Sequence, residues 1–322
     1  MPAPTRKGDF TTSGRGLRAP ELLARVRSIR LRTRRQVSSL LAGGYRSTFR
    51  GTGLEFEEVR PYLPGDDVRS IDWKVTARKS DPHVKSFRED RQLTLELLVD
   101  NSASMDFGTR RVTKRELAAE FCALLAFVAL DNRDRVGFSL YAEERLLHLD
   151  PGRSAAHINR IVREVIAWEP STAPADLEHE LVERLRRRTR GDLYFIVSDF
   201  RELAGGTAAA GARRESARKR LSELGDRHDV IAVDVSDPFE RELPNVGLVE
   251  GQDPETGAQV LIDTASRSVR EHWQAAAKDR DARLAELFGR ARVDVIRLST
   301  AEPVADPVQR FFEQRAARGG RR

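Results

Sequence analysis

Residues 93–105 read LTLELLVDNSASM and residues 192–200 read DLYFIVSDF. Each is an apolar run of strand length that ends on a carboxylate with serine beside it. Unbroken apolar runs, as opposed to alternating ones, mark strands covered on both faces, as in parallel sheets. Working outward, Lys114–Asn132 predicts a long, almost wholly apolar helix. RVGFSLYA (135–142) predicts a second strand, and RLLHLD (145–150) a third that pairs with it. Helices are expected at about 154–167, 176–189, 212–224, 265–289 and 304–317, with strands at DVIAVDV (229–235) and RVDVIRL (292–298). A β-hairpin insertion is expected at 246–262, turning around Asp253–Gly257. Strands alternating with helices give an α/β fold, a Rossmann-like, doubly wound and mostly parallel sheet.

The two quoted stretches also carry the chemistry. In open α/β sheets ligands bind at the carboxyl ends of the strands. Asp100 and Asp199 both stand at such ends, and Asp100, Ser102 and Ser104 form a DxSxS pattern that can turn a carboxylate and two hydroxyls toward one point. A hard cation such as Mg²⁺ takes about six oxygens, so Mg²⁺ or Mn²⁺ fits this donor set. A serine-rich loop that merely caps a helix has the same sequence, and that reading stands beside the metal one. Conventional catalysis is not expected. The chain has no GxxxxGK[ST] loop, GxGxxG, GxSxG or HExxH, and its six histidines are dispersed without ligand spacing.

The N-terminal third differs in texture. Residues 1–16 read as a flexible tail, and 17–91 as a helix (to about Leu41) followed by a small β appendage, ahead of the main domain at 92–322. Residues 1–50 hold 12 Lys/Arg against 2 Asp/Glu, so the basic character of the chain, net +6, belongs to this arm. A solvated basic helix is the preferred reading. Nucleic-acid or anionic-surface binding is the alternative, without aromatic residues interleaved to support stacking. Cys122 is the single cysteine, which excludes an intrachain disulfide. No apolar stretch is long enough to span a bilayer, so an integral membrane protein is not expected and a cytoplasmic location is.

The segment GTGLEFEEVRPYLPGDDVRSIDWKVTARKSDPHVKSFRED (51–90), followed by LELLVDNSASM, resembles the bacterial family called domain of unknown function 58. The resemblance continues through SDF at 198–200, the PNVGLVEGQDPETG segment and RLST at 297–300. It implies a von Willebrand factor A-like fold with a metal-ion-dependent adhesion site. It also implies a protein-binding role beside a MoxR-type AAA+ ATPase, or that ATPase's client, in chaperone-like assembly or maturation of other proteins. Carried over, the metal ligands are Asp100, Ser102, Ser104 and Asp199. The family-fold threonine before an Asp-Leu pair is not matched, because Ala175 precedes Asp176-Leu177; the nearest hydroxyls are Ser171 and Thr172, and a water or Thr172 is the substitute in that place. Asp66, Asp67, Arg69, Asp72 and Trp73 form a possible docking surface. The competing and preferred reading is a Pro-Gly turn fixed by Asp–Arg bonds, with Trp73 packed on the main sheet.

Overall fold

The computed structural model describes residues 54–63, 66, 71–79, 81–89, 92–143, 145–169, 171, 175–187, 189–252 and 258–319, together with 28, 29 and 33. The tail at 1–16, most of the helix expected to Leu41, the hairpin turn at 253–257, and Asp67, Arg69 and Thr172 among the site candidates lie outside these residues.

In the appendage, β1 (Leu54–Pro61) and β2 (His83–Glu89) pair antiparallel, with a bulge between Phe56 and Glu58. The connection holds helix α1 (Trp73–Lys79), where the sequence suggests only short extended pieces and turns. Asp72 supplies its start, accepting the Val75 N–H on Oδ1 at 3.3 Å, and this local cap makes a helix from a weakly periodic segment. Asp66 closes a tight turn by accepting the Leu63 N–H at 2.9 Å. Trp73 does not pack on the main sheet as expected. It is 69% exposed.

The main domain runs β3 (Thr94–Asp100), α2 (Lys114–Asp131), β4 (Arg135–Tyr141), β5 (Arg145–Gly152), α3 (Ala155–Ala167), α4 (Leu177–Leu185), β6 (Leu193–Ser198), α5 (Arg201–Ala204), α6 (Ala208–Gly225), β7 (Asp229–Ser236), α7 (Pro238–Arg241), β8 (Leu248–Gln252), β9 (Gln259–Asp263), α8 (Arg267–Ala291), β10 (Asp294–Ser299) and α9 (Ala305–Gly319). The six-stranded sheet has the order β10-β7-β6-β3-β4-β5, parallel throughout except for β5, which runs antiparallel to β4. β8 and β9 form the expected hairpin apart from that sheet.

Alternation along the central strands divides the core in two. Leu95, Leu97 and Val99 of β3, with Phe195 of β6 and Val233 of β7, meet α2, α3 and α9 on one face. Leu98, Ile196 and Ala232 meet α4, α6 and α8 on the other. The α2 helix starts with a capping box, Thr113 accepting the Glu116 N–H while Glu116 accepts that of Thr113. Its fully buried middle includes Cys122, whose thiol is pushed well above its ordinary pKa by burial. The chain leaves β3 toward β4 on one side and returns to β6 on the other. The switch point of this doubly wound sheet therefore lies between β3 and β6, where the strands end on Asp100 and Ser198.

The second face also holds a polar network. Arg184, fully buried on α4, donates from Nε to Glu180 at 2.8 Å, lies 3.4 Å from Glu96 of β3, and donates to Ser139. Burial raises the Glu96 carboxyl, with Arg184 and Arg187 opposing. Gly137 gives that carboxylate its space, since a Cβ there would lie 2.6 Å from Glu96 Oε2. Removing one partner of a buried ion pair leaves uncompensated charge, at about 3–5 kcal/mol. Arg184→Met is accordingly expected to lower unfolding free energy by that amount in urea titrations, and Gly137→Ala to destabilise in the same direction.

Candidate cation and partner site at the carboxyl edge of the sheet

β3 ends on Asp100, whose Oδ1 accepts the Ser102 N–H and whose Oδ2 accepts the Ser198 hydroxyl, both at 2.7 Å. The chain then turns through a short 3-10 segment, Ala103–Asp106, which brings the Ser102 and Ser104 hydroxyls to 3.1 Å from each other. Across the switch point, Asp199 follows β6 and the chain reverses at Phe200, whose φ of 51° is uncommon for a bulky residue. The Phe200 N–H donates to Ser198 Oγ at 2.8 Å, fixing this reversal. The turn launches α5 and carries Glu202 back over the same point. One oxygen each of Asp100, Asp199 and Glu202 lies within 4.8 Å of the others.

Two cations at the start of α2 hold the loops. The fully buried Lys114 ammonium donates to Asp199 Oδ2 at 2.5 Å and to Glu240 of α7 at 2.7 Å. Arg115 donates to Asn101 at 2.5 Å, to the Trp168 carbonyl at 3.0 Å, and to Asp106. Ser171 is stitched beside the same loop, its carbonyl accepting the Ala103 N–H at 2.8 Å and its N–H donating to the Asn101 carbonyl at 3.0 Å.

The carboxylates are electrostatically unlike. Burial, reinforced by the charge of Asp199, raises Asp100 to about 6. Burial also pushes Asp199 upward, but Lys114 and then Arg201 outweigh it and hold that carboxyl below its usual range. Burial would lower Lys114, yet Asp199 and Glu240 prevail and raise it. One carboxylate is thus neutralised by the protein itself, while the other is left short of positive charge.

The structure therefore brings together Asp100, Ser102, Ser104 and Asp199. Asp66, Asp72 and Trp73 belong to the appendage, where the two aspartates make the local turn and cap bonds described above. Sequence reasoning missed Lys114, Glu202 and Glu240. Lys114 did leave a trace, being a lysine in the first turn of a helix, where the helix dipole disfavours a cation.

The strand order and its switch point are those of a doubly wound, von Willebrand factor A-like fold. The chain belongs to the family described as Protein of unknown function DUF58, which matches residues 58–283. It is 33% identical over 303 residues to the uncharacterized protein Rv1480 of Mycobacterium tuberculosis, covering 92% of this chain and 90% of that one. An uncharacterized Mycobacterium avium protein, MAV169, is 30% identical over 170 residues, 51% of this chain and 92% of the relative. Among solved structures, the fold is similar to the conserved hypothetical protein BatB of Bacteroides thetaiotaomicron (TM-score 0.44, 14% identity, 71% of this chain and 100% of that one). It is also similar to a von Willebrand factor type A structure from Catenulispora acidiphila (TM-score 0.36, 9% identity, 73% and 43%).

The raised Asp100 carboxyl has a measurable consequence. A carboxyl with a higher pKa folded than unfolded binds its proton more tightly in the folded chain. Stability then falls as pH rises from about 4 to about 6 and stays lower above that. Asp100→Asn is expected to be more stable than wild type at pH 8 in chelator, by on the order of 1–3 kcal/mol. The gap should close below about pH 4, where Asp100 is neutral in both states. Denaturant titrations at the two pH values check this.

Proposed function

We propose that this chain is a protein-interaction module whose docking face is the carboxyl edge of the sheet. The single observation that carries this is the convergence of Asp100, Asp199 and Glu202 oxygens at the switch point. The donor chemistry fits a hard divalent cation. Three carboxylates and the Ser102 and Ser104 hydroxyls offer only oxygen, and Asp100 lacks a neighbouring positive charge of its own, whereas Asp199 has Lys114. Mg²⁺ or Mn²⁺ is the cofactor proposed here. When bound, such a cation supplies a Lewis-acidic point that accepts a carboxylate from a partner. Thr172 is a further candidate donor by sequence. Arg115 and Lys114 keep the loops that carry these oxygens in place.

The partner proposed is a MoxR-type AAA+ ATPase or its client, in assembly or maturation of other proteins. That choice draws on the resemblance noted in the sequence and on membership of the DUF58 family. No catalytic step is assigned, because no general base or leaving-group stabiliser accompanies the carboxylates in this reading.

Calorimetric titration with Mg²⁺ and with Mn²⁺ tests the cation. Wild type should bind, and Asp100→Ala should weaken binding by at least about tenfold, or 1.4 kcal/mol. Equal affinities would remove the cation from the proposal. Affinity capture from the native cell should then retain the ATPase or client in Mg²⁺ and release it in chelator.

A further inference from the structure

On the far side of α7 from the acidic centre lies a cleft of about 790 Å³, within the range of roughly 300–1,000 Å³ usual for ligand sites. It opens at the carboxyl ends of β7 and β10, where Ser236 and Ser299 pair in register. The short α7 separates the two places. Its Glu240 grips Lys114 beneath the acidic centre, while its Pro238, Phe239 and Arg241 line the cleft. Arginines thus join the rim on the other side of this helix.

The cleft is lined by three guanidinium groups, of Arg110, Arg241 and Arg297. Arg241 is engaged with Asp281 at 2.8 Å. Arg110 and Arg297 are exposed, and neither makes an ion pair among the described residues. Pro238, Phe239 and Pro244 supply apolar wall between the charges. Arg297 is near enough to the buried Asp234 carboxyl to act on its charge without pairing with it, and an exposed guanidinium beside apolar surface is suited to a planar anion on a partly apolar ligand.

We propose that this cleft is a subsite for an acidic peptide segment of a protein partner. Its carboxylates go to Arg110 and Arg297, and its apolar side chains to the Phe239 and Pro244 wall. A polyphosphate fits less well, because Glu242 and Glu302 also line the cleft and would repel a continuous run of negative charge. β6, β7 and β10 are consecutive in the sheet, so their ends span two strand spacings, about 10 Å. About three residues of extended chain cover that distance. One segment can therefore reach both the cleft and the acidic centre. The shared occupancy rests on the docking reading above, but the cleft needs no cation.

The test uses the full chain in chelator at about 150 mM salt, where distant surface charges are screened. The probe is a fluorescent pentapeptide of alternating leucine and glutamate carrying a benzophenone. Anisotropy should show binding that Arg110→Glu and Arg297→Glu each weaken at least tenfold and that Arg297→Lys largely keeps. Photocrosslinks should map to α7 and β10. Unchanged binding in both charge reversals, crosslinks confined to residues 1–50, or displacement by oligothymidylate at lower concentration than by unlabelled peptide would each overturn the proposal. Failure of Mg²⁺ binding in calorimetry would instead strike only the cation reading, so the two are separable.

Discussion

The rim of this domain depends on one buried ammonium. Lys114 sits in the first turn of α2, out of reach of solvent, between Asp199 and Glu240. A cation there faces the unfavourable end of the helix dipole and loses its hydration. Both penalties are tolerable only if two carboxylates are delivered to it, one from the turn after β6 and one from α7. Neither loop can drift without stranding a charge. The constraint propagates through Glu240, which accepts the Asp237 N–H at 3.0 Å. Asp237 in turn takes the Thr109 N–H and hydroxyl and the Thr300 hydroxyl. A single ion-paired group thus registers the loops after β3, β6, β7 and β10 against one another.

That arrangement explains why a parallel sheet carries its chemistry so narrowly. The strands are largely apolar on both faces, and their few polar groups, such as Glu96 and Ser139, are buried and engaged with Arg184. Their carboxyl ends are the places where the chain can expose polar groups while the core stays sealed. At the switch point neighbouring connections diverge to opposite faces and leave a gap, and Asp100 and Asp199 flank it. Farther along, α7 divides this acidic gap from a cleft lined by both arginines and glutamates. A partner meeting the rim encounters both signs within a few residues of its own length.

How much of this was legible in the sequence follows from the range of each interaction. The apolar runs ending on Asp100 and Asp199 fixed the sheet, because burial on both faces leaves few alternatives to a parallel strand. The hairpin at β8–β9 was legible from its turn residues. The α1 helix was not, since its start depends on a local Asp72 cap and its composition is mixed. Glu202 was hidden for a different reason. Its position depends on the left-handed turn at Phe200, a conformation nothing in the residue type announces. Glu240 lies 126 positions from Lys114 in sequence, and no local pattern can disclose such a pairing. Trp73 shows the opposite error: a turn fixed by local Asp–Arg bonds suggested a ring packed on the main sheet, and the residue stands largely in solvent.

The sole thiol of the chain, on Cys122, lies in the sealed middle of α2 with its sulfur held protonated by its surroundings. Alkylating reagents can reach it only when the sheet and its covering helices part. The rate at which the native chain becomes modified is therefore a clock for opening of the interior, and a cysteine introduced elsewhere on the surface would be the one group to react while the domain stays closed.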